Sequence, residues 1–183
     1  MIPTSLNIDE IMLRKLRKID ADTIAHYITP DIVRYTQNIP YPYSVDEGKK
    51  FVSKSMQDWR LGKGYVFGIV QNSELIGICS ISSIDKENKH GELGYWLGKK
   101  FWGKGIMTRA AARVLRFGFE DGGLHKIMVS HFEENIASQR VILKLGFVPE
   151  GKERDAIYRF GKWHTLYRYG LLEEEYQVKK SVT

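Results

Sequence analysis

Hydrophobic and polar positions change period repeatedly along this chain, and each change marks an element. Residues 11–17, IMLRKLR, alternate loosely and predict a strand. Residues 20–28 then switch to helical spacing, with Asp20 at the opening. The stretch 30–43, PDIVRYTQNIPYPY, is punctuated by proline and rich in aromatics, and predicts a short helix followed by a loop. Ser44 and Glu47 form an S-x-x-E capping signal. The helix behind it, about 45–61, carries Phe51, Val52, Met56 and Trp59 on one side and stops near Gly62 and Gly64. Three strands follow, 65–70, 75–82 and 91–97, the first two joined by a QNSE turn. The rest predicts a helix over 105–119, a strand over 125–132, a helix over 135–147 closed by Gly146, and two strands around FGKW within 156–172.

That order predicts an α/β (α+β) fold: a mixed, mostly antiparallel central sheet of about seven strands with helices on both faces. No repeat, low-complexity tract or linker interrupts it, so residues 1–183 are expected to form a single domain.

Composition narrows the partners. Apolar residues make up 43% and charged residues 27%, ordinary for a globular domain. Cys79 is the sole cysteine, which excludes an intrachain disulfide and suits a reducing, cytoplasmic setting. The first residues lack the apolar core of a signal peptide, and no apolar run is long enough for a membrane span. A net charge of +6 favours anionic partners, but the basic residues form no block. A phosphorylated cofactor therefore fits better than nucleic acid. The five histidines show no ligand spacing, and no metal site is expected.

The candidate chemistry lies in GYWLGKKFWGKGIMTRAAARVL, residues 94–115. Arg109, Arg113, Arg116 and Glu120 form a polar stripe, and Ile106, Ala110, Val114 and Phe117 an apolar one. The helix start therefore falls inside the Gly-rich turn. Free amides and a partial positive charge collect at a helix start. Gly103 and Gly105 would let a phosphate approach those amides, Thr108 adds a hydroxyl and Lys104 a charge. On spacing alone, a phosphate cradle and a plain strain-relieving turn stand level. The turn is neither a Walker loop nor a dinucleotide fingerprint, because Thr108 takes the third glycine position of the latter.

Together, WGKGIMT and N-x-A-S-x-R-V-x-x-K-L-G-F, with the FGKWH hairpin, resemble the GNAT N-acyltransferase superfamily, and most of all its branch of ribosomal-protein N-acetyltransferases. The resemblance covers about residues 10–175 and implies an acetyl-CoA-dependent enzyme. It implies that Trp96 and Leu97 line the pantetheine arm of coenzyme A, and that Trp102, Gly103, Lys104, Gly105, Ile106, Met107 and Thr108 hold its phosphates. Trp102 and Met107 depart from the superfamily pattern Q/R-x-x-G-x-G/A, and Met107 puts bulk where Gly or Ala is usual.

Acyl transfer to an amine needs a base and a donor to the leaving thiolate. Glu92 is the candidate base, since a carboxylate among aromatic rings is a stronger base than a solvated one. By strand alternation it shares a face with Gly94 and Trp96. Ser138, in the first turn after Asn135, is the candidate donor to the sulfur; relatives often use a tyrosine one turn on, where this chain has Ile142. Asn135 is expected to cap its helix, to bind the pantetheine amide, or both. The expected acceptor is a primary amine, with a protein N-terminus such as that of a ribosomal protein as one candidate, acetylated directly through a ternary complex. A polyamine or other small amine, and a non-catalytic acyl-CoA sensor, are the alternatives. The tail hairpin also offers an edge for a homodimer. Tyr35, Tyr41 and Tyr43 are candidates for an acceptor cleft.

Overall fold

The computed structural model describes residues 4–8 and 10–182. Eight strands and six α-helices are found among them: β1 Ser5–Ile8, β2 Ile11–Lys15, α1 Asp20–Tyr27, α2 Pro30–Val33, α3 Val45–Leu61, β3 Tyr65–Gln71, β4 Glu74–Asp85, β5 His90–Leu97, α4 Ile106–Arg116, β6 Lys126–Phe132, α5 Ile136–Leu145, β7 Val148–Arg159, β8 Lys162–Leu172 and α6 Glu173–Val182. The strands form one sheet in the order β1-β2-β3-β4-β5-β6-β8-β7. Every pairing is antiparallel except β5 with β6. The mixed sheet matches the expectation. It gains β1, a four-residue strand too short to show a period, and α6, whose acidic first turn follows β8 without a break.

Helices cover both faces. Val66, Ile78 and Trp96 look toward α1 and α2, where Ala21, Ile24, Ile32 and Val33 complete a core. The alternate residues of the same strands, Phe67, Ile81, Leu93 and Leu97, meet α4 through Ala110, Ala111 and Val114. Small residues on α4 let the helix lie close to the sheet. At the far end of that helix the expected 105–119 segment changes hand-hold: the backbone widens into one π turn over Phe117–Asp121, closed by Gly122 N–H donating to Phe117 O at 2.8 Å. Glycine is required at 118 within this turn, since a Cβ there would fall 2.4 Å from Ile81 Cδ1. Phe117 is fully buried with ring centroids 5.0 Å from Tyr65 and 5.1 Å from Phe67, and burying such a side chain contributes about 1.5–3 kcal/mol.

Helix α3 is capped as the sequence implies, with Ser44 Oγ accepting from Glu47 N–H at 3.2 Å. Asp20 differs. It stands as the first residue of α1 and its carboxylate reaches back, not forward: it accepts two bonds of 2.8 Å from the Arg14 guanidinium and one of 2.6 Å from Arg17 N–H. This pair is buried, with side-chain exposures of 12% and 5%, and it fastens α1 to β2. Burial alone would raise the Asp20 carboxyl, but the Arg14 guanidinium and the Arg17 amide outweigh it and hold it below the ordinary carboxylate range.

A lowered carboxyl stabilises the fold above its unfolded pKa of about 3.9 and loses that contribution as pH falls through the lowered folded value. Asp20→Asn should cost about 3 kcal/mol at pH 7, because Arg14 is left buried without its partner. Urea unfolding at pH 7 and pH 3 should show the gap between variant and wild type shrinking in acid; an equal gap at both would contradict this account of Asp20.

Candidate active site

Strand β5 pairs with β6 over only three positions, His90 with Lys126, Gly91 with Ile127 and Glu92 with Met128. Beyond these the two strands part. Each keeps its outer neighbour: β5 stays with β4 as far as Leu97, and β6 stays with β8 as far as Phe132. The inner edge of β5 from Leu93 to Leu97 is therefore free of strand partners. The wedge between the parted strands leads into a cavity of about 380 Å³.

Four segments build the walls. Tyr95, Trp96 and Leu97 come from β5, and Asn135, Ala137 and Ser138 from the start of α5. The third wall is the turn into α4, where Trp102, Gly103, Gly105, Ile106, Met107 and Thr108 all border the cavity. Gly105 is the cap of α4 and takes φ +71, and Gly103 takes φ +75. Both are left-handed conformations that cost an ordinary residue about 1–2 kcal/mol. A Cβ at either would meet nothing within 4 Å, so these glycines serve the backbone path and leave the space above it open. No side chain caps α4 and no acidic residue lies in its first turn. Its amide donors and the positive end of its dipole thus face the cavity uncompensated, the arrangement that binds phosphate.

Most of the expected cofactor residues are brought together here. Lys104 is not: it is exposed and does not border the cavity, with Nζ 5.8 Å from the Phe101 ring. Trp102 borders it with its indole N–H donating to Leu97 O at 2.6 Å, which occupies one acceptor on the free edge of β5. Met107 loses its oddity. Its side chain is buried in the main core, so its bulk is absorbed beneath the turn instead of filling the cradle. Asn135 Oδ1 accepts from Ser138 N–H at 3.1 Å and caps α5, leaving its amide N–H groups for a ligand. Ile142 is fully buried and does not line the cavity.

Glu92 lies just below the point where the strands part, half-buried, and outside the cavity wall. Its charge acts on Arg168 of β8, whose guanidinium is held by Glu153 through bonds of 3.0 and 2.9 Å. Glu92 and the pair Tyr95 and Ser138 are thus on opposite faces of β5. Gly94 separates them, and a Cβ there would touch only Ser80 Oγ at 3.5 Å, so this face is open between Glu92 and Trp96.

Several wall residues were not anticipated. Asp31, Ile32 and Thr36 come from α2 and the loop after it, whose path the sequence pattern does not fix, and they stand beside Tyr35, which the sequence did offer as a cleft residue. Arg140 and Lys144, one helical turn apart on α5, put two exposed cations on the wall; both stand in the quoted block and i,i+4 spacing is the signal that marks them as neighbours. Tyr95 also lines the cavity, although its place on a packing face hid it. Of the other tyrosines, Tyr43 borders a second cavity of about 330 Å³ that shares Trp96 as a wall, and burial beside Glu47 pushes its phenol up to about 12. Tyr41 is half exposed and borders neither cavity.

A parted parallel strand pair with a bare, Gly-rich helix start at its mouth suits a cofactor that carries phosphates on an amide-bearing arm. Residues 10–148 match the model of the acetyltransferase (GNAT) domain, and the chain belongs to this family of acetyl-CoA-dependent N-acetyltransferases. It is 31% identical over 176 residues to the uncharacterized N-acetyltransferase p20 of Bacillus licheniformis, covering 94% of this chain and 98% of that one. It is 30% identical over 118 residues to the ribosomal-protein-serine acetyltransferase of Escherichia coli (strain K12), covering 63% and 66%. Among solved structures, the microcin C7 self-immunity acetyltransferase MccE in complex with acetyl-CoA and AMP superposes with a TM-score of 0.83 at 25% identity, covering 93% of this chain and 97% of that one. Among the described residues, no helix is long and apolar enough to cross a membrane.

Gly105→Val should weaken coenzyme A at least tenfold by distorting the amide cradle, with circular dichroism unchanged. Calorimetric titration with coenzyme A checks this, and an unaltered affinity would place the phosphate site elsewhere.

Proposed function

We propose that this chain transfers acetyl directly from acetyl-CoA to the α-amine of a protein N-terminus, with both substrates bound at once. The observation that carries the reading is the free inner edge of β5 running into the uncapped start of α4. An amide-bearing arm can bond to the strand edge as a further strand would, while phosphates rest on the amides of residues 106–108. Arg140 and Lys144 add attraction for the same anion. On this reading the thioester end lies in the wedge, beside Ser138.

Direct transfer is favoured by the state of the one thiol. Cys79 is wholly buried in β4, and burial pushes its thiol far above the ordinary range, so no thiolate is available to carry the acetyl group. In the direct step the amine nitrogen forms the C–N bond, the C–S bond breaks, and the amine gives up one proton. Glu92, on the open face of β5 next to Gly94, takes that proton through a water, while the Ser138 hydroxyl donates to the departing sulfur. The two groups flank the wedge from opposite faces, which lets amine and sulfur be served at the same time.

An α-amine with pKa near 8 is about a tenth neutral at pH 7, whereas a lysine amine near 10.4 is under about 0.1% neutral. A single carboxylate reached through water is a modest base, and it suits the first acceptor better. The E. coli relative named for acetylating a ribosomal protein adds weight to a protein acceptor.

The test is thiol release from acetyl-CoA with a panel of N-terminal peptides, polyamines and aminoglycosides. Turnover confined to peptides with a free α-amine is expected; turnover only with polyamines or aminoglycosides would overturn the acceptor, and tight coenzyme A binding without any turnover would point to a sensor. Glu92→Gln should lower kcat about 100-fold while leaving coenzyme A affinity intact. An unchanged kcat would remove Glu92 from the base role.

A further inference from the structure

One hydrogen bond joins the two walls of the wedge. The Tyr95 side chain crosses from β5 to α5, where its Oη lies 2.8 Å from Ser138 Oγ and 3.4 Å from the Ser138 carbonyl oxygen. The phenol has one proton and two possible acceptors. Donation to Oγ leaves the Ser138 hydroxyl proton free to point elsewhere. Donation to the carbonyl would let Ser138 spend its proton on Oη instead. The 2.8 Å contact is a full hydrogen bond in either arrangement, but the 3.4 Å contact to the carbonyl is beyond the usual range, and this favours the first.

The rest of that turn is already fixed. Ser138 N–H is held by Asn135 Oδ1 at 3.1 Å, so the backbone around Ser138 is set by the cap and its hydroxyl by Tyr95. Both side chains border the cavity. Packed against Tyr95 from the sheet is Cys79, its partner across β4 and β5, and among the described residues no charged group bonds to the phenol. Burial pushes the phenol well above its ordinary value, and the bond to Ser138 only partly offsets this, so the group keeps its proton through the neutral range.

We propose that Tyr95 is a positioning residue for acyl transfer: its phenol donates to Ser138 Oγ and so directs the Ser138 O–H at the departing sulfur. This rests on the reading of Ser138 as the sulfur's donor. A hydroxyl that accepts a hydrogen bond is a better donor in turn, so the pair acts as a two-link chain. As the C–S bond breaks, its electrons go to sulfur, which leaves as a thiolate held by the Ser138 O–H. Neither Ser138 nor Tyr95 loses a proton, and the thiolate is protonated in water after release. The chain thereby supplies from β5 what Ile142, buried in the core, does not supply from α5.

A double-mutant cycle on the full chain tests this, reading kcat, the KM for acetyl-CoA and the Kd of coenzyme A. Tyr95→Phe should lower kcat about tenfold, the loss expected for one hydrogen bond to a reacting group. KM and Kd should stay within about twofold. Ser138→Ala should lower kcat at least as much, and the double variant no further than Ser138→Ala alone. If Ser138→Ala is harmful and Tyr95→Phe harmless, the Tyr95 proposal fails while the Ser138 reading stands. A harmless Ser138→Ala removes both. Losses that multiply in the double variant, or a Tyr95→Phe effect confined to KM and Kd, would make Tyr95 a wall of the cavity only and overturn the proposal. Should Tyr95→Phe fold poorly, replacement by difluorotyrosine keeps the shape with a more acidic phenol. The alkaline fall of kcat should then move to lower pH, and an unmoved profile overturns the proposal.

Discussion

Backbone donors and acceptors must find partners, and a strand that loses its neighbour within a sheet leaves a row of them facing empty space. The parting of β5 from β6 after Glu92 and Met128 is such a place, and the rest of the active site depends on it. The outer pairings to β4 and β8 hold each strand in position, so the wedge is a rigid feature of the sheet. An arm carrying its own amides fits that edge and completes the sheet by hydrogen bonding alone. Selectivity then falls to what stands at the two ends of the wedge: bare helix amides at one, a serine and a tyrosine at the other.

The division of labour follows from strand alternation. On β5, Glu92, Gly94 and Trp96 look one way, and Leu93, Tyr95 and Leu97 the other. Trp96 joins the core under α1 and α2, and Leu93 and Leu97 join the core under α4. Tyr95 shares the second face yet remains half-buried, because its phenol turns from the core to Ser138. One strand therefore anchors both cores and still places a carboxylate on one side of the wedge and a phenol on the other. The Arg14–Asp20 pair serves this arrangement from a distance by fixing α1, from which α2 continues to form the outer wall.

Much of this was legible in the sequence. Glycines flanked by Trp102 and an apolar helical stripe announced a helix start at a bare turn, and the turn is one. The succession of elements came through because periods of two and of about 3.6 alternate from residue 65 onward, although β7 begins at Val148, ahead of the 156 expected for the tail hairpin. What stayed hidden depends on tertiary geometry. Met107 looked like an obstruction because sequence cannot say whether a side chain points up into a cradle or down into a core. Lys104 looked like a ligand because charge and adjacency do not fix direction. Tyr95 drew no reading because alternation gives the face of a strand but not what waits across a gap. The parting of β5 and β6 has no local signal, since both strands keep a full partner on their outer side.

Hydrogen exchange with and without coenzyme A, read amide by amide, tests the central claim most directly. The account predicts new protection on the inner edge of β5 within 93–97, at the start of α4 within 105–108, and around Asn135 to Ser138, with the outer pairings of β4 and β8 unchanged. Protection that appears elsewhere on the sheet, with these amides exchanging as before, would contradict the account of the wedge as the coenzyme A slot.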